Sequence, residues 1–184
     1  LKPISEILEF GSGQEKIEIL QKLSLSNDFE IIKKMIGSLD DQDIQVRGEA
    51  FSSLILNKNN ISQLLIESLK DSRKNVRGFS ALILANRNDL DSITAIRELV
   101  KDESSLVRSC ALGSLGHLKA KEARNELREG MFDSNLEVRK SALQALININ
   151  EKISEKDLLK VSNEKDSEIE KLVIKLKKGG PEGI

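Results

Sequence analysis

Charged residues that recur in step are the densest chemistry in this chain. Asp41, Asp71, Asp102 and Asp133 each stand six residues ahead of Arg47, Arg77, Arg108 and Arg139, and the arginines follow one another at 30, 31 and 31 residues. A row of guanidinium groups alone would suit phosphate or acidic ligands. Because every Arg is matched by an Asp at one offset, the charges cancel and the eight residues are expected to be structural.

Other reactive groups are sparse. His117 is the only histidine and Cys110 the only cysteine. Seven residues apart on one helix face, they would stand roughly 10 Å apart along the axis, too far for a nucleophile and its base. Cys110 reads as an inert thiol that cannot form an internal disulfide, which fits a reducing compartment. His117 lies nine residues after Arg108, where other copies carry Leu56, Asn86 and Asn148, and is expected to end a helix and meet its last carbonyls. No catalytic set, metal or cofactor is expected. Lys171, Lys175, Lys177 and Lys178 could attract nucleic acid, but lysines near a helix C-terminus also complement its dipole. With a net charge of −1, no Trp and no Tyr, nucleic acid is not an expected partner.

The elements that must position these residues follow from the repeat itself. A fixed period near 31 residues marks a solenoid, whose units bury their apolar faces only by stacking. One residue before each Arg stands a valine. Three residues after it stands a small residue, Ala50, Ser80, Ala111 or Ala142, and seven after it a leucine, Leu54, Leu84, Leu115 or Leu146. That i, i+4, i+8 stripe is one face of a helix, here helix B. Upstream, segments ending in Leu39, Leu69, Val100 and Met131 carry apolar residues at three- and four-residue spacing and begin near Asn60 or Asp91, good N-cap types. They predict helix A, joined to B by a tight polar turn. The architecture expected is an all-α, right-handed α-solenoid of about six helical hairpins. It would form one domain over 1–178, with degenerate capping repeats at 1–26 and 151–178 and a disordered tail at 179–184.

The Asp, Val-Arg and small-residue to leucine ladder at this period resembles the HEAT repeat, most closely the short HEAT-like repeats of phycobilisome lyases. The resemblance is strong from Asp41 to Leu146. It implies that the Asp and Arg residues form a ladder between successive repeats, and that a concave face lined by the B helices grips another protein. Some HEAT-like proteins are enzymes. The di-iron hydroxylase of that group uses His-Glu dipeptides, whereas His117 is followed by Leu118. The DNA glycosylases of that group use aromatic residues and a basic face, whereas this chain has no Trp or Tyr, five Phe mainly at core-like positions and a net charge of −1.

The face of helix B opposite its core stripe falls two, five and nine residues after each Arg. The candidate partner-binding residues are Phe79, Leu82, Cys110 and His117, with Ile83, Ser114 and Gln144 at the margin; the alternative is that neighbouring helices bury them. The expected function is a non-catalytic protein-interaction scaffold or adaptor, a monomer or a component of a hetero-complex. The alternative, a bilin lyase-like chromophore-handling subunit, rests on the resemblance alone. The longest apolar run, Ala81 to Ala85, is too short to cross a bilayer, and Leu1, Lys2 and Pro3 do not open a secretory signal. The expected location is cytoplasmic. A start without Met suggests a processed or excised chain.

Overall fold

The computed structural model describes residues 2–162 and 165–178, and among these there are helices and no strands. The expected tail, 179–184, lies outside the described residues. The chain divides into two compact units, Leu1–Ser92 and Ile93–Ile184.

In the first unit, α1 (Ile4–Phe10) and α2 (Gly13–Leu23) form the first hairpin. The second is α3 (Phe29–Gly37) and α4 (Ile44–Leu56), and the third is α5 (Ser62–Ser68) and α6 (Lys74–Asn86). The second unit holds α7 (Ile93–Glu98) with α8 (Ser105–His117), α9 (Arg124–Gly130) with α10 (Leu136–Asn148), and α11 (Glu155–Ser162) with α12 (Ser167–Lys178). Odd-numbered helices are the A helices and even-numbered helices the B helices. Within each unit the B helices pack side by side, α2 on α4 and α4 on α6, then α8 on α10 and α10 on α12.

The core is the stripe read from the repeat. Val46, Val76, Val107 and Val138, the four small residues and the four leucines are all fully buried. The small residues let the backbones of adjacent helices come close while the leucines fill the remaining space. Gly116 shows how close: a Cβ there would sit 2.6 Å from Cα and Cβ of Ala145 in the next B helix.

The helix ends follow a rule that the apolar pattern does not reveal. Asn88, Lys119 and Asn150, spaced 31 residues apart, have φ of 56°, 52° and 56°. Each ends its helix in the left-handed conformation. The next amide returns to a leucine carbonyl, Asp89 to Leu84, Ala120 to Leu115 and Glu151 to Leu146, which is a Schellman closure. Helices α2 and α4 lack it: Ser24 after α2 is right-handed, and after α4 Asn57 is extended, its side chain donates to Ser26 O at 2.8 Å, and Arg87 donates to the carbonyls of Leu54, Asn57 and Asn59. The same connection, between Leu54 and Leu69, holds the one 30-residue step.

Two expected caps need correction. Asn60 and Asp91 do not cap the A helices: α5 starts after Ile61, which is fully buried, and Asp91 lies in a 3-10 turn, Leu90–Ser92, ahead of α7. Burying Ile61 decides where α5 begins, at the expense of a side-chain cap.

Candidate partner-binding face

The Asp and Arg residues sit at the turns between A and B helices. Each Arg folds back on its own turn, its Nη1 donating to the carbonyl of the Asp six residues earlier: Arg47 to Asp41 at 2.7 Å, Arg77 to Asp71 at 2.9 Å, Arg108 to Asp102 at 2.9 Å and Arg139 to Asp133 at 2.6 Å. Arg108 also forms a bidentate pair with Asp133 of the following repeat, Nε to Oδ2 at 2.8 Å and Nη2 to Oδ1 at 2.9 Å. Lys16 takes the equivalent place toward Asp41, at 2.7 Å. The rung from Arg47 to Asp71 is not formed, because Arg73 occupies both oxygens of Asp71 at 2.9 and 2.8 Å.

Hydrogen bonding sets the protonation of these carboxylates. The Arg108 bond pulls the Asp133 pKa down, against burial, and the Asn135 amide adds to it. Burial raises that of Asp41, but Lys16 and the Asp43 amide together outweigh it, and the net shift is downward.

Several residues expected on the binding face are not available to a partner. Ile83 and Ser114 are fully buried and Cys110 is buried. Six residues after the Arg, Ile83 and Ser114 follow the small core residue by three and so turn inward with it. Burial pushes the Cys110 thiol up to about 11. Phe79 and Leu82 are half-buried, and Phe79 meets Phe51 edge to face with centroids 6.4 Å apart. His117 and Gln144 are exposed. His117 does not reach the last carbonyls of α8; the Lys119 backbone ends that helix instead.

In the second unit the B helices carry a groove of about 510 Å³. Gly113 of α8 borders it, Ser141, Gln144 and Asn148 of α10 form one wall, and Lys171 and Lys175 of α12 form the other. Ala145 and half-buried Leu172 supply its apolar part. At one end Lys140 gathers Glu168 at 2.5 Å, Glu137 at 3.2 Å and Asp166 at 3.6 Å. These carboxylates, Glu168 first, hold the Lys140 pKa above its ordinary value. No carboxylate among the described residues pairs with Lys171 or Lys175. The period carries the signal for both lysines, because 31 residues on from Lys140 and Gln144 lie Lys171 and Lys175.

The first unit has a larger hollow, about 720 Å³, beside the turns of α1 to α4. Its aspartates are already engaged: Asp41 holds Lys16, Asp43 caps α4 and Asp40 accepts from Asn75. No group of three or more His, Cys, Asp or Glu side chains among the described residues could hold a metal ion. No helix among them is long and apolar enough to cross a membrane.

Stacked antiparallel hairpins with a buried small-residue and leucine ladder define the class as an α-solenoid of helical repeats. More narrowly, residues 62–147 match the family model of HEAT repeats. Solved structures agree on the fold. The complex of CpcE and CpcF of phycocyanin lyase from Nostoc sp. PCC7120 is similar with a TM-score of 0.68 at 17% identity, covering 82% of this chain and 99% of that one. A designed armadillo repeat protein in complex with the peptide (KR)4 has a TM-score of 0.54 at 18% identity, covering 96% and 97%. An engineered protein covering 98% of both chains has a TM-score of 0.57 at 18% identity. No curated protein sequence matches this chain.

Proposed function

We propose that this chain is a non-catalytic scaffold or adaptor that holds another protein along the B-helix face of its second unit, in the cytoplasm. The observation that carries this reading is the groove over α8, α10 and α12, where exposed Gln144, Asn148, Lys171 and Lys175 line one concavity. Two proteins of similar fold are described in complex with another protein or a peptide. That is support by likeness of fold. The chromophore-handling alternative rests on the phycocyanin lyase likeness, and 17% identity carries the fold and no further.

The face is tested by replacing Gln144 with p-benzoylphenylalanine and irradiating in lysate, with the same photo-crosslinker at Lys33, an exposed position on α3, as the reference. A discrete adduct at 144 that is absent at 33 is expected. Equal labelling at the two positions, or none at 144, would count against this face.

A further inference from the structure

The groove of the second unit has two walls with the same repeat distance. Lys171 and Lys175 lie one turn apart on α12, and Gln144 and Asn148 lie one turn apart on α10. Residues four apart on a helix stand about 6 Å apart. An extended chain repeats its side chains and its peptide groups every two residues, at about 6.7 Å. A strand laid along the groove, parallel to both helices, would therefore present alternate side chains to the lysine wall and peptide groups to the amide wall.

The charge of that strand follows from the electrostatics. Lys171 and Lys175 have no carboxylate partner among the described residues, while the acidic end of the groove is already occupied by Lys140. Gln144 Nε2 donates to Asn148 Oδ1 at 2.9 Å, and each amide keeps at least one N–H and one oxygen lone pair to exchange with a peptide group. Leu172 and Ala145 form the floor beneath.

We infer that the partner of this groove is a protein segment in extended conformation with carboxylates at alternate positions, Glu-x-Glu or Asp-x-Asp, bound between α10 and α12. The inference rests on the interaction face proposed above and deepens it by naming the chemistry of the ligand. A basic peptide such as (KR)4, bound by the designed protein of similar fold, would meet like charge here. Nucleic acid is the competing ligand for Lys171 and Lys175, but the amide wall matches a peptide backbone and the groove offers no aromatic side chain for base stacking.

The test is a titration of the isotope-labelled full chain, followed by amide chemical shifts, with acetyl-Gly-Glu-Gly-Glu-Gly-amide. Saturable shifts are expected at Gln144, Asn148, Lys171, Leu172 and Lys175, with Kd of about 1 mM or tighter. Binding should weaken at least about tenfold in the double variant Lys171→Gln, Lys175→Gln, whose exposed positions leave the fold intact, and should weaken with added salt. Equal binding of the isomer with adjacent glutamates overturns the inference, as does a tighter response to an eight-nucleotide oligothymidylate. So do shifts spread equally over Lys33, Lys34 and Lys70. Crosslinking at position 144 without any response to this peptide overturns the acidic ligand and leaves the face in place, whereas loss of both removes both.

Discussion

Gly113 and Gly116 stand one turn apart on α8 and meet opposite surroundings. A Cβ at 113 has nothing within 4 Å, whereas at 116 it would collide with the backbone of Ala145. Gly113→Ala should therefore raise stability by up to about 1 kcal/mol, the helix-propensity difference. Gly116→Ala should lower it by about 1–3 kcal/mol through overpacking of α8 against α10. Urea midpoints of the two variants check this, and two shifts of one sign would mean that the approach of α8 to α10 is not as described. Type and spacing alone do not tell these two glycines apart. The core was legible at residue level because Val, small residue and Leu recur at one register. The surface was less so: Ile83 and Ser114 were placed at the margin of the binding face because a stripe identifies its own centre but not how far the neighbouring helices wrap around it.

At the level of elements, the turn between helices A and B is an electrostatic joint. Arg108 binds its own turn through the Asp102 carbonyl and the next turn through the Asp133 carboxylate, with 17% and 15% of the two side chains exposed. The folded state holds the Asp133 pKa below its ordinary value. The stability gained is therefore fully present above about pH 4 and is lost as pH falls through the lowered value. Asp133→Asn should cost about 1–2 kcal/mol at pH 7, allowing for partial solvent screening, and its melting temperature should fall less steeply than that of the parent below pH 4. Parallel pH profiles would show that the pair does not drive acid sensitivity. The Schellman closures make a second joint. Lys119 holds a positive φ without glycine's freedom, so Lys119→Gly should stabilise by about 1 kcal/mol despite the added freedom of the unfolded chain. No change in thermal melting would mean that the strain is relieved elsewhere. This joint was not legible beforehand because Asn, Lys and Asn share no hydrophobic pattern; only the 31-residue spacing links them.

At the level of the whole molecule, repeats couple mainly to their neighbours, so stability need not be shared evenly along the chain. Each of the two units has its own set of fully buried leucines and valines, Leu54 and Val76 among those of the first, Leu115 and Val138 among those of the second. Leu115→Ala, in the middle of the second core, should lower stability by about 2–5 kcal/mol through the cavity it leaves. If the units respond separately, native-state hydrogen exchange will quicken at the amides of α8, α9 and α10, while those of α2, α3 and α4 keep most of their protection. Uniform loss across both would show that the chain unfolds as one cooperative domain, as the uninterrupted period led us to expect for 1–178. The outcome bears on function as well, because a groove carried by the second unit alone would survive damage to the first. Leu54→Ala, the equivalent change in the first unit, should then leave the shifts induced by the acidic peptide at Gln144 and Lys175 intact, whereas their disappearance would show that the groove depends on the whole stack.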